Sequence, residues 1–464
     1  MTPVSLPRPQ GLAHALRAAG AVVALLFALT PPAHATKIER VVSPGGIEAW
    51  LVQDKTVPLV AIDFAFRGGT AQDPEDKAGV ANMVTTLLDE GAGDLDSKAY
   101  HERLEDLAVQ LSFSAGRDHF RGSMRTLSEN RDKAFELLRL SLNAAHLDPQ
   151  DVERMRAQIL ARLTRETTSP NDIAGKRWWA TAFPHHPYGQ PVNGTLESVP
   201  RITVADLKDY TRRVFAKDSL KIAVVGDIDA ASVAEIVDKV FGALPAKAEL
   251  TPVPGALPQG LGSRILVKLD VPQAVVTFGG PGIPRKDPDF MAAYIVNHIL
   301  GGGSFSSRLY REVREKRGLA YSVYSQLVWL DHTAMLMGGT GTRAERAGDT
   351  VEVIAQEIKR LADTGPTEEE LAQSKSYLKG SYALGFDTSA KIAGQLVQIQ
   401  LDDLGIDYIA RRSAMIDAVT IDDVRRVAKR LLDAGQLVTI VGRPQGLTAQ
   451  GQGDPNNAVQ AVDR

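Results

Sequence analysis

The sequence predicts an α+β protein of two homologous α/β-sandwich-like domains, each a sheet packed against helices. Three observations carry this. SLKIAVVGD (219–227) and GQLVTIVGR (435–443) close two stretches of similar pattern. RITVADLKDYTRRVF (201–215) and AVTIDDVRRVAKRLL (418–432) precede them. Pro149 and Pro366 stand at the same offset as Thr203 and Thr420. Both prolines suit the first turn of a helix, where the missing N–H costs nothing. Shared spacing at separate anchors marks an internal duplication.

Taken in order, residues 1–35 read as a signal peptide. Arg8 and Arg17 flank an apolar run, Ala18–Thr30, and Ala33-His34-Ala35 follows as a cleavage site. The run is shorter than the ~20 residues that span a bilayer. Export to the periplasm is therefore expected. The first domain, 36–245, opens with PLVAIDFAFRGG (58–69), which alternates as a strand does. Val80, Met83, Val84, Leu87 and Leu88 then form a helical stripe within 79–91. Further helices are expected at 97–111, 128–145 and 148–167, with a closing strand at 220–226. LPAKAELTPVPGALPQGLGSR (244–264) has four prolines and no helical period, which predicts a linker over 246–264. The second domain spans 265–445. The tail, 446–464, is rich in Gln, Gly and Asn and is expected to be disordered.

Composition excludes several functions. Net charge is −3 and hydrophobic residues make up 44%, so no global field attracts nucleic acid or an anionic membrane. With no cysteine there are neither disulfides nor thiolate metal sites. No G-x-S-x-G elbow occurs. His185-His186 lies in a Pro/Gly turn, and His101 with Glu105 on an exposed-looking helix; both suit surface or capping roles. His119, His146, His298 and His332 are isolated.

The chemistry-bearing stretch is GGGSFSSRLYREVREKRGLAYSVYS (301–325). A phosphate loop would need a lysine after its glycines, and none is there. Arg308, Arg311, Arg314 and Arg317 alternate with Glu312 and Glu315, which reads as a solvated helix face. Phe305, Leu309 and Val313 supply its apolar side, Ser304 an N-cap and Gly318 its end. Arg314 and Tyr321 flank the Gly318 break, so the bend can bring their polar tips together. Gly301, Gly302 and Gly303 would let another backbone approach, as substrate-binding positions.

This stretch resembles the C-terminal-domain signature of the pitrilysin/insulinase family of inverted-motif zinc peptidases, in its two-domain processing-peptidase-like form. HHPYG, IAVVGD, the repeat and the linker fall where that family has them, over about residues 38–445. The resemblance implies paired subunits around a chamber. One subunit carries H-x-x-E-H and a distal glutamate; the other contributes an Arg and a Tyr seven residues later, matched here by Arg314 and Tyr321. The frame G-x-A-H-x-x-E-H appears as Gly79 to Thr86, with Asn82, Thr85 and Thr86 at the functional positions. Glu153 keeps the family's first downstream glutamate, but the third ligand position is Leu160. The resemblance thus implies a zinc-free subunit acting on peptides or unfolded segments beside a homologous zinc-binding chain. A scaffolding protein with no catalytic role is the competing expectation.

Overall fold

The computed structural model describes residues 37–443 and the strand Gln460–Val462. The expected signal peptide lies outside the described residues, as does most of the tail. The first half contains β1 (Glu39–Val42), β2 (Glu48–Gln53), β3 (Leu59–Arg67), α1 (Val80–Thr85), α2 (Ser97–Asp106), β4 (Gln110–Ala115) and β5 (His119–Leu127). It continues with α3 (Arg131–Asn143), α4 (Pro149–Glu166), α5 (Pro170–Ala182), α6 (Val204–Val214), β6 (Lys221–Gly226) and α7 (Ala230–Phe241). The second half contains β7 (Arg264–Lys268), β8 (Gln273–Pro281), α8 (Phe290–Asn297), β9 (Ala320–Trp329) and β10 (Ala334–Arg343). After these come α9 (Ala347–Thr364), α10 (Glu368–Gly380), α11 (Ser389–Leu401), α12 (Tyr408–Ala418), α13 (Ile421–Leu432), β11 (Leu437–Gly442) and β12 (Gln460–Val462).

The duplication is visible in the sheets. Their strand orders are β1-β2-β6-β3-β5-β4 and β12-β7-β11-β8-β10-β9. In each, the closing strand pairs parallel on one side (β6 with β2, β11 with β7) and antiparallel on the other. Side-chain devices repeat as well. Phe64 faces Gly122 across one sheet and Phe278 faces Gly338 across the other. A Cβ on either glycine would come within 2.2 Å of the opposing ring. Thr203 with Asp206 and Thr420 with Asp423 form the same capping box at the starts of α6 and α13. Each box satisfies two N–H groups that the helix itself leaves unpaired.

Each sheet carries its own half's helices on one face. Its other face receives a helix from the opposite half. Helix α11 packs on β3 and β6 of the first sheet, and α5 on β8 and β11 of the second. Ala65, Ala223 and Val225 consequently share a core with Leu396 and Val397. Trp178 of α5 is fully buried and donates its indole N–H to the Leu437 carbonyl at 3.0 Å. The exchanged helices bind the halves together more closely than a linker would. The linker is itself pinned: Gln72 exchanges two hydrogen bonds with the Thr251 backbone, at 2.7 and 3.0 Å. In the part of the tail that is described, Gln460–Val462 lies parallel to β7.

Candidate functional site

Helix α1 occupies the place where the sequence frame would put a metal motif. Its start is fixed by Asp73, whose carboxylate accepts the Gly79 and Ala81 N–H groups at 2.8 and 2.9 Å. Burial raises the Asp73 carboxyl to about 7, despite these bonds. The expected helix over 79–91 ends early, at Thr85. Thr85 donates its hydroxyl to the Asn82 carbonyl at 2.6 Å, and Thr86 to that of Met83 at 2.9 Å. Such local bonds compete with the helical ladder. The chain continues as turns, with the Thr86 and Leu87 N–H groups bonding three residues back. Asn82 keeps a buried amide nitrogen with no partner. Leu160 packs against the first core, and Glu153 pairs with Arg156 at 3.1 Å. An amide, two hydroxyls and an isobutyl group do not fit zinc, which takes imidazole, thiolate or carboxylate. Among the described residues no three His, Asp or Glu side chains are grouped to hold a metal ion.

Three of the histidines have partners of their own. His186 accepts the Tyr188 N–H at 3.1 Å, a capping role. His101 faces Glu90, at 3.5 Å, rather than Glu105. His298 is buried against Ser374 at 2.9 Å, and burial lowers its pKa.

The 301–325 segment departs from a simple helix. Helix α8 runs into a π-helical turn, His298–Gly302, and a second π-helix covers Tyr310–Glu315. Such turns are rare and cluster at functional sites. Ser304 is not the N-cap: its φ is +48° and its side chain caps nothing. Ser307 takes that place, accepting the Tyr310 N–H at 3.4 Å. Leu309 and Val313 are buried as expected, but Phe305 is 72% exposed, its ring set perpendicular to that of Tyr310 with centroids 5.1 Å apart.

Nor do the four arginines form one solvated face. Arg308 is buried between Glu357 (3.6 Å) and Glu370 (2.6 Å). Burial works against the Glu370 charge, yet Arg308 and the Thr367 N–H hold its carboxyl down to about 2. Arg311 joins Glu370, and Arg317 pairs with Glu312 at 2.6 Å. Arg314 makes no ion pair among the described residues; it donates to the Tyr310 hydroxyl.

Gly318, at φ +58°, turns the chain into β9. There the ladder with β10 slips: Gly341 faces Ser322 and Thr342 faces Ala320, leaving Tyr321 as the extra residue of a β-bulge. Bulges re-aim side chains. Tyr321 is 81% exposed, and the Arg314 guanidinium lies 4.5 Å from its ring centroid. The two side chains do meet, although through the ring face rather than tip to tip. Sequence spacing pointed to the pair; the bulge and the π-turn left no signal in it.

At Gly301 the backbone approach is made by the chain's own β9. A Cβ there would sit 2.5 Å from the Ser325 nitrogen. Gly303 is closed in the same way by the His298 carbonyl, whereas Gly302 is exposed and abuts the Asn297 amide. Strand β9 ends its sheet, pairing only with β10 among the described residues, as β4 ends the other.

A duplicated pair of sheet-and-helix domains, with a zinc-motif frame but no zinc ligands, defines a peptidase-fold protein of degenerate metal site. Residues 49–196 match the model of insulinase, peptidase family M16, and residues 201–378 that of the peptidase M16 inactive domain. The chain belongs to this family. It is 27% identical to an uncharacterized zinc protease of Streptomyces coelicolor, over 87% of this chain and 89% of that one. It is 26% identical to a non-peptidase homologue of Helicobacter pylori, over 72% of this chain and 78% of that one. The crystal structure of a peptidase M16 inactive domain from Pseudomonas fluorescens superposes with a TM-score of 0.83 at 26% identity, covering 92% of this chain and all of that one.

Proposed function

We propose that this chain is the non-catalytic, substrate-binding subunit of a periplasmic heterodimeric zinc metallopeptidase. The zinc and the water it activates belong, in this reading, to a homologous partner carrying H-x-x-E-H. What this chain supplies is the Arg314–Tyr321 pair. The observation that carries the reading is their geometry. A bulge leaves Tyr321 unpaired and exposed beside the one arginine of the segment with no carboxylate partner among the described residues. Two donors held at the surface suit a substrate carbonyl that gains negative charge in the partner's site. The exposed edge of β9 would hold an extended peptide through its backbone, leaving sequence preference loose. A scaffolding role without catalysis is the second reading, favoured by the closure of Gly301 and Gly303 against the chain itself. Co-expression with an H-x-x-E-H homologue from the same organism separates the two. The subunit reading expects co-elution and a gain in peptide cleavage over either chain alone. Co-elution without any gain leaves only the scaffold.

A further inference from the structure

Between the two halves lies a cleft of about 730 Å³, walled by the linker, the β4–β5 turn and the β9–β10 turn. The aspartates lining it are already engaged. Asp331 pairs with Arg67 at 2.6 Å and Asp403 with Lys286 at 2.7 Å. Asp402 accepts the Trp329 indole N–H at 3.1 Å and faces Arg285 at 3.6 Å. Asp118 accepts the Tyr188 hydroxyl and the Asp331 N–H.

Arg117, in the β4–β5 turn, is different. Its guanidinium lies 3.5 Å above the Trp179 ring centroid, and its Nε donates to the Tyr188 carbonyl at 3.0 Å. Its two terminal nitrogens make no hydrogen bond, and it has no ion pair among the described residues. Burial lowers its pKa to about 10, so it remains charged at neutral pH. Of the arginines and lysines lining the cleft, it alone has no direct ion pair among the described residues; the nearest carboxylate acting on it, that of Asp118, favours its charge without touching it. Arg117 borders both this cleft and an adjoining cavity that holds the Trp179 ring, and an arginine stacked on an indole is a rigid fork that matches a carboxylate in two bonds. Leu250, Val253 and Leu330 add apolar wall beside it, and the volume falls within the ~300–1,000 Å³ of small-ligand pockets. That combination suits an organic anion of a few residues better than a bare ion.

We propose that the interdomain cleft binds the free C-terminal carboxylate of a short peptide, anchored by Arg117. The inference requires neither a partner subunit nor zinc, and it concerns a place apart from the Arg314–Tyr321 pair. Trp329, which lines the cleft, ends the strand whose second residue is Tyr321, eight residues and roughly 27 Å away at ~3.4 Å per residue.

Calorimetric titration of the isolated mature chain tests it. The probes are one apolar tetrapeptide as its free acid, the same peptide as its C-terminal amide, succinate, and inorganic phosphate. The free acid should bind at least ~10-fold more tightly than the amide, since a hydrogen bond to a charged group is at stake. Arg117→Lys, which keeps a charge but loses the fork, should weaken the free acid by a similar factor. Arg117→Gln should abolish the preference for acid over amide, with melting temperatures recorded for both variants. Equal binding of acid and amide, or no binding of either, overturns the proposal. So does phosphate or succinate binding as tightly as the peptide, which would mark a plain anion site. If either variant fails to fold, the acid-versus-amide comparison on the unaltered chain still decides the matter.

Discussion

Arg308, Arg311 and Arg317 each have a carboxylate partner, while Arg314, in the same stretch of chain, meets the Tyr310 hydroxyl and the Tyr310 and Tyr321 rings and has no carboxylate partner among the described residues. A half-buried arginine in that position can turn to a ligand without first breaking an ion pair. Tyr321 keeps its hydroxyl at the surface for the same reason, because the bulge denies it a place in the ladder. If the chain pairs with a zinc-binding homologue as proposed, Arg314→Ala and Tyr321→Phe should each lower kcat of the pair by ~10²–10³, the cost of losing one donor to a developing oxyanion. Assembly and melting temperature should hardly change. Tyr321→Phe is the sharper variant, since it removes one hydroxyl and leaves the ring under the guanidinium. Unchanged kcat in both would return the pair to ordinary surface chemistry.

At the level of elements, the glycine run is a packing device before it is anything else. The π-turn after α8 lies against β9, and Ser325 fills the space a side chain at Gly301 would need. The Ser325 hydroxyl is itself fixed, donating to Asn297 at 2.8 Å, so the strand has little room to yield. Gly301→Ala should therefore destabilise the chain by about 1–3 kcal/mol, the usual cost of overpacking. Gly302→Ala should cost less, because the closest atom to its Cβ, at 2.7 Å, is the Asn297 side-chain nitrogen, and the nearest backbone atom, the Asn297 carbonyl oxygen, stands off at 3.2 Å. Denaturant unfolding of both variants checks this order. A Gly301→Ala chain of normal stability that had lost peptide binding would instead restore the glycine to a direct substrate contact. At α1 the helix stops at Thr85 although the apolar stripe continues, and the Thr85 and Thr86 hydroxyls bond the carbonyls three residues back where it ends.

Across the whole molecule, the exchanged helices α5 and α11 make each sheet depend on the other half for one of its faces. Trp178 is the clearest tie, fully buried and hydrogen-bonded to the opposite half's closing strand. Trp178→Ala should cost about 3–5 kcal/mol, combining lost burial with the cavity left behind. Because the residue belongs to one half and its surroundings to the other, unfolding should remain a single transition at a lower midpoint. Hydrogen exchange should quicken in β8 and β11 as well as in α5. Two separate transitions, with only the first half's midpoint shifted, would show that the halves fold independently and that the exchange is incidental.

Much of this was legible in the residues alone. The repeated capping threonines, the paired prolines and the two closing strands set out the duplication, because capping and strand alternation depend on a few neighbours along the chain. The loss of zinc ligands was equally plain, since an amide, two hydroxyls and a leucine cannot bind the metal in any fold. The Arg314–Tyr321 pairing was readable as spacing across a glycine break. Three features were decided only by the tertiary structure. The helix exchange depends on contacts between segments hundreds of residues apart, which periodicity cannot encode. The bulge at Tyr321 depends on register against β10, and a slip of one residue leaves the strand's own pattern unchanged. The isolation of Arg117 is the third. It is fixed by the Trp179 ring under the guanidinium and the Tyr188 carbonyl on its Nε, and by the lining aspartates bonding other donors, with Asp118 acting on Arg117 only from a distance.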